Sequence, residues 1–314
     1  MKHSSIRKII IGIVSALVVT ISATAASACS IETSHPEAQI TYEFNGQPYV
    51  VKYKLYRNMY PNTVRHFIEL AENDFYNDLV IHNYNTNDWF TGAYSYNEED
   101  YATLSENASQ MTEYFETYSK EDAYMQLFND GKLTPSVYSN LSYDKDGKQI
   151  VEEENALPTV MGEFYNNINQ EIEKGALTAE YGCLKMFYYE KKSTQKVYVT
   201  PTSKEIRMAD YKSNCATSVF ALQTGTSSSY SAKDYTVFAS IIDTENFDNF
   251  VDAVRNYITD NHGGTASEFY SSTGVRVDNN DDFTNKVEED KGKDENFNVP
   301  KKPIIVRSVK ITQY

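Results

Sequence analysis

Apolar and polar residues alternate along ITYEF (40–44) and YVVKYKLY (49–56), on either side of Asn45-Gly46. A period of two puts one set of side chains on a buried face, and Asn-Gly favours the tight turn of a hairpin, so the pattern predicts two paired strands. Pro61 then stands at a favoured first-turn position of a helix. Val64, Phe67, Ile68 and Ala71 follow at the spacing of one helical face, which predicts a helix over 61–73. LVIHNY (79–84) reads as the next strand. From Glu98 to about Glu154 the period lengthens: Leu104, Ala108, Met111, Phe115 and Tyr118 fall at helical spacing. Ser119 with Asp122 resembles a capping box that starts a second helix through Tyr124, Leu127 and Phe128. The block 98–154 reads as a helical hairpin inserted into a β-protein. Strand-like runs resume at 183–190, 196–200, 218–224 and 235–242. A helix with Phe247, Phe250, Val251, Val254, Tyr257 and Ile258 on one face is expected over 244–258. Residues 260–300 are polar, acidic and poor in apolar residues, which predicts a flexible loop, and PIIVRSVKI (303–311) closes the chain as a strand.

The first residues follow a different rule. Lys2, Arg7 and Lys8 precede an almost wholly apolar run from Ile9 to Ala23, and small residues lead to Cys29. A positive start, a short apolar run and a small-residue exit form the pattern of a secretory signal, here residues 1–28, and the run is short for a membrane span. An uncleaved N-terminal anchor is the other reading. Ala-Ser-Ala-Cys resembles a bacterial lipobox with Cys29 as the lipidated residue, while Ala26 and Ala28 also suit an ordinary signal peptidase. The expectation is an exported protein, anchored by lipid at Cys29 to the outer face of the bacterial cell membrane, with residues 29–38 as a tether and 39–314 as one domain.

Composition narrows the partners. The formal net charge is −15, and the signal carries only cations, so the mature chain is more acidic still. Binding nucleic acid requires clustered Lys and Arg, so no such partner is expected. The chain has three cysteines; Cys183 and Cys215 either pair or stand as two buried thiols. Tyr is abundant, 26 against a single Trp. Such acidic, Tyr-rich surfaces suit peptides or sugars, though a compositional bias accounts for them as well. His35, His66, His82 and His262 are scattered, and DNNDD (278–282) lacks the ordered spacing of a calcium loop, so no metal is expected. Gly-rich phosphate cradles and Ser/His/Asp groupings are absent from the sequence.

Several landmarks fall in a familiar order. VVKYKLYRNMYPNTVRHFIELAENDFYNDLVIHNY (50–84) resembles the opening of a cyclophilin, with Pro61, Thr63, Val64, Phe67, Leu70, Ala71, Phe75, Tyr76 and His82 matching its pattern. MGEFYNN (161–167), GCLKMF (182–187), SNCATSVFAL (213–222), DYTVFASII (234–242) and the last strand resemble the family's later motifs. The resemblance covers 39–92, 158–258 and 301–312. It implies a mainly β fold: a closed, eight-stranded antiparallel barrel capped by two helices, with a peptide groove on its outer wall.

It also implies an activity. Cyclophilins accelerate rotation about the bond before proline, whose barrier is about 18–20 kcal/mol. No bond breaks, so no nucleophile, metal or cofactor is needed; the groove holds the proline ring and stabilises the twisted amide. In the family an Arg directly after the strand His donates to the prolyl nitrogen, and that position here is Asn83. The family's Phe-Met-x-Gln stretch becomes Asp88, Trp89, Phe90 and Thr91, or a one-residue gap places Trp89 at the Phe position. The second Gln becomes Val219, followed by Phe220 and Ala221, and the pocket His becomes Tyr235. The resemblance therefore assigns Asn83, Thr91 and Val219 to the catalytic positions and His82, Trp89, Phe90, Met186, Phe187, Phe220, Ala221 and Tyr235 to the groove. Trp89, on a polar stretch, is the expected ligand-facing aromatic; Phe220 and Met186 are equally suited to packing. The partners implied are proline-containing peptides or exported proteins. The alternatives are a surface lipoprotein that binds a peptide or partner without catalysis, and an adhesion or glycan-capturing protein with the barrel as a platform.

Overall fold

The computed structural model describes residues 35–104, 108–163, 177–187, 196–200, 206–210, 215–230, 235–276 and 294–314. The signal segment, Cys29, DNNDD (278–282) and most of MGEFYNN lie outside them. In chain order the strands and helices are β1 Glu37–Phe44, β2 Gln47–Leu55, α1 Pro61–Glu72, β3 Leu79–Val80, β4 Asn83–Tyr84, β5 Asp88–Thr91, α2 Glu98–Ala102, α3 Ala108–Thr117 and α4 Glu121–Asn129. There follow β6 Val137–Tyr138, β7 Ser142–Tyr143, β8 Gln149–Ile150, β9 Val160–Met161, β10 Leu184–Phe187, β11 Lys196–Val199, β12 Arg207–Asp210, β13 Cys215–Ala216 and β14 Phe220–Gln223. The chain ends with β15 Tyr235–Ile241, α5 Thr244–His262, α6 Ala266–Phe269, β16 Tyr270–Arg276, β17 Asp294–Pro300 and β18 Ile304–Gln313.

One antiparallel sheet dominates, with the order β3-β18-β1-β2-β15-β10-β14-β5-β4. Its first hairpin forms as the alternation predicts: Asn45 and Gly46 both adopt positive φ, and Phe44 pairs with Gln47. The sheet has nine strands, not the expected eight, and its two end strands are not laddered to each other. They are successive pieces of one extended run, because Ile81 N–H bonds Ile304 and His82 N–H bonds Phe90. The barrel thus curls until the chain itself, rather than a ladder, joins its edges.

Two helices bury aromatic rings in the interior. Phe67 of α1 packs on Tyr76, Phe220 and Phe238, and Phe250 of α5 stacks on Tyr42 at 4.6 Å and meets Trp89 edge-on. Asp243 caps the start of α5, and Gly263 ends it in the left-handed conformation, four residues past the expected boundary. Gly92, at φ +106°, runs so close to the Ser218 backbone that a Cβ would overlap its carbonyl, which lets β5 leave the sheet beside β14.

Other expectations are corrected. Residues 88–91, read as a polar loop, form β5; four residues with one Asp are too short a run to show alternation. The insertion is helical only to Asn129, after which come β6, β7 and β8. The run at 196–200 is not a barrel strand: β11 pairs with β12 and β6 in a separate sheet over a small core of Val137, Met161, Val197, Val199 and Cys215. The described ends of 260–300 are not a loop, because β16 and β17 form an antiparallel pair from Tyr270↔Pro300 to Arg276↔Asp294. That stretch has few apolar residues, but Phe269, Phe297 and Val299 are all buried. β1 begins at Glu37, inside the stretch 29–38 expected to be a tether. Cys183 and Cys215 form no disulfide with each other and are buried, one in each core.

Candidate functional site

The wall made by β4, β5, β14, β10 and β15 has two faces, and strand alternation sorts the site residues between them. Trp89 pairs with Tyr84 and Leu222, and its ring stacks on Tyr84 at 5.3 Å, pointing inward with Phe220 and Thr91. Met186 faces Phe220 across the β10–β14 ladder and shares that side. The outer side carries Asn83, Phe90, Ala221, Lys185 and Phe187, because Asn83 pairs with Phe90, Phe90 with Ala221 and Ala221 with Lys185. Phe187 pairs with Tyr235. Rings gather there: Phe90 lies 4.7 Å from Phe187, Phe187 lies 5.6 Å from Tyr235, and Tyr230 meets Phe90 at 5.3 Å and Phe187 at 4.9 Å.

Beside these rings sits a buried charge. Lys185 is wholly inaccessible and forms an ion pair with Asp88. Its ammonium also donates to Gln223 Oε1 at 2.5 Å and Ser228 Oγ at 2.9 Å, so each of its three N–H groups has a partner. It lies 4.9 Å over the Tyr235 ring. Burial pulls its pKa down, and the Asp88 carboxylate opposes that.

Asn83 is tied to β17 through its acceptor oxygen. Its Oδ1 accepts the backbone N–H of Asn298 at 3.1 Å, and Asn298 Nδ2 donates to Asn85 at 3.2 Å. These amides tie β17 to β4. His82 packs against Tyr94 and Phe297 at 5.0 and 5.1 Å, and burial holds its pKa down at about 3. Its imidazole is neutral packing, not a groove wall. Glu163 joins the wall to α1: its carbonyl accepts the Thr236 hydroxyl of β15 at 2.9 Å, and its carboxylate accepts from the N–H groups of Asn62 and Thr63 at the start of α1, with its pKa raised by burial to about 7. Among the described residues, no three His, Cys, Asp or Glu side chains converge in a metal-holding group.

The sequence model of the cyclophilin-type peptidyl-prolyl cis-trans isomerases matches residues 41–272. This chain belongs to that family. Two solved structures of a cyclophilin-type isomerase from Cryptosporidium parvum, one obtained in the presence of the dipeptide Ala-Pro, are similar at 11% identity and a TM-score of 0.39. They cover 89% and 88% of this chain and are themselves covered over 99%. Among curated proteins no match is found.

Against the cyclophilin pattern, the structure divides the expected groove. Asn83, Phe90, Phe187, Ala221 and Tyr235 share the outer face, and Val219 lies beside Ala221 at the start of β14. His82, Trp89, Thr91, Met186 and Phe220 do not belong to that face. The expectation for Trp89 is overturned: it is 1% exposed, because β5 turns it inward to fill the space between Tyr84 and Phe250. Thr91, at a Gln position of the cyclophilin pattern, gives its hydroxyl to Val80 O at 3.0 Å inside the barrel. Sequence reasoning missed Asp88 as a wall residue, and Lys185, Gln223 and Tyr230 altogether. A Lys within an otherwise apolar strand, CLKMF, was the one signal available for the buried pair.

Proposed function

We propose that this protein works outside the cytoplasm, held to the membrane by lipid at Cys29, as a weakened prolyl isomerase. Its outer groove takes proline-bearing segments of exported proteins. What carries this reading is the set of rings Phe90, Phe187 and Tyr235 on the outer wall, beside a position where the family's Arg is Asn83. These rings are the apolar surface on which the proline would seat. Asn83 supplies only a neutral amide, whose oxygen is already bonded to Asn298. A charged donor is about twice as strong as a neutral one, a difference on the order of 1 kcal/mol, and about 1.4 kcal/mol is tenfold in rate.

The test is cis–trans isomerisation of a short Ala-Pro peptide by the mature protein and by Asn83→Arg. Weak acceleration, raised about tenfold in the variant, is the expected result. Binding of the peptide without acceleration by either protein replaces the isomerase with a peptide-binding surface protein. No binding by either overturns the reading.

A further inference from the structure

Rings on the outside of a barrel wall have no core behind them to bury them. Phe90, Phe187 and Tyr235 are nevertheless only 8%, 7% and 7% exposed. Tyr230 is part of their cover, and it comes from a segment that has no core of its own. Between Gly225 and Tyr230 the residues are GTSSS, of which Thr226, Ser227 and Ser229 are exposed. The segment is fastened by polar contacts. Asn85 Nδ2 donates to the Tyr230 hydroxyl at 3.1 Å, Ser229 N–H donates to Asp88 at 3.0 Å, and Lys185 donates to Ser228 Oγ. A Cβ at its first residue, Gly225, would displace the Asn87 side chain.

We infer that Gly225–Tyr230 is a strap that occupies the groove with the ring of Tyr230, and that it must swing aside before a proline-bearing segment can enter. This rests on the reading of the groove given above and adds its regulation. Among the described residues the strap is held by the Tyr230 ring and by hydrogen bonds, including those from Gln223 to Gly225 O at 3.1 Å and from Asn87 to Ser229 Oγ at 3.4 Å, whereas the wall beneath it is packed. A segment with so little buried apolar surface belongs to the low-stability end of a fold, where opening precedes that of the core. Opening also changes the chemistry of the floor. Asp88 and Gln223 stay with Lys185 on the wall, but Ser228 leaves with the strap. The third N–H of Lys185 then faces the groove, a cationic donor for a carbonyl of the incoming peptide. The groove without the family's Arg would thus draw its charge from the opposite strand, and only when open.

The test uses the full chain and a fluorescently labelled Ala-Pro peptide, read by anisotropy. A strap closed roughly nine-tenths of the time withholds about tenfold in apparent affinity, so Tyr230→Ala should bind about tenfold more tightly than the unaltered protein. Tyr230→Phe keeps the ring and loses the bond from Asn85, so its gain should be smaller, about two- to threefold. Saturating peptide should shift the backbone amide resonances of Ser228, Ser229 and Tyr230 in the unaltered protein. Should Tyr230→Ala not fold, Tyr230→Phe and these shifts decide. Equal affinity in all three proteins, with the strap amides unmoved, removes the strap and leaves the groove. Absence of binding in every folded variant removes both.

Discussion

The wall formed by β4, β5, β14 and β10 is one set of strands with two unlike faces. Inward, Tyr84, Trp89 and Phe220 interlock with Phe67 and Phe250 from the two helices, and burial comes from the curl of the sheet around them. Outward, Phe90, Phe187 and Tyr235 gather in a ring cluster that the tyrosine of a polar strap meets at Phe90 and Phe187, beside a charge pair sealed in the wall. The inner face is what any barrel of this size must have. The outer face carries Asn83, where the family pattern has Arg. Packing sets the first, and the second is held by a small number of specific polar contacts.

Truncating the inner face gives the largest effect. Trp89→Ala should lower unfolding stability by about 3–5 kcal/mol, the range for deleting a buried aromatic, as measured by chemical denaturation. A loss under about 1 kcal/mol would mean that Trp89 does not fill the interior, and the inward assignment of β5 would fail.

The outer charge pair comes next. Asp88→Ala leaves the Lys185 ammonium buried without its carboxylate and should lower stability by about 3–5 kcal/mol. Replacing both, Asp88→Leu with Lys185→Met, should be close to neutral, because the pair's desolvation offsets its attraction. If the double replacement is as damaging as the single one, the pair is a packing device like the inner face, and the contrast between the faces narrows.

The smallest effect is a pH dependence on the inner side. His82 is neutral when folded, with its pKa lowered by burial to about 3 from 6.5. The unfolded chain therefore binds a proton that the folded one refuses, so this contribution is intact above pH 6.5 and is lost as pH falls towards 3. At pH 5 the loss should be about 2 kcal/mol, at about 1.36 kcal/mol per pH unit below 6.5. His82→Phe should flatten that part of the stability–pH profile relative to the unaltered protein. Glu163 works in the opposite sense, its pKa being raised, so the difference between the two proteins is the informative quantity. An unchanged slope would place His82 in contact with water.

Legibility followed the length of the pattern. The β1–β2 hairpin, α1, α5 and the last strand could be read because each repeats its period several times around a clear turn or cap. The ordered motifs from Pro61 to Tyr235 could be read as a cyclophilin for the same reason: order along the chain survives where individual residues have changed. β5 could not be read, since Asp88, Trp89, Phe90 and Thr91 show their alternation only when a neighbour is known for each. The β16–β17 pair was hidden by its polarity, because Phe269, Phe297 and Val299 suffice only when the barrel offers Tyr84, His82 and Tyr94 to receive them. In the site, a residue-by-residue carry-over placed Asn83, Phe90, Phe187, Ala221 and Tyr235 on one face. It placed Trp89 wrongly, since a side chain's face depends on register, and one residue of slip reverses it.

The amino-acid sequence by itself determined the family, the hairpin that starts the barrel, the two helices that close it and the loss of the Arg at Asn83. These are matters of local period and of order along the chain, and both are written in one dimension. The tertiary structure alone decided which side of the wall each residue faces, that Lys185 meets Asp88 across 97 positions of chain, and that Tyr230 covers the rings of the groove. Contacts of that kind depend on strand register and on what the curled sheet brings near, and neither is encoded in any short stretch of residues.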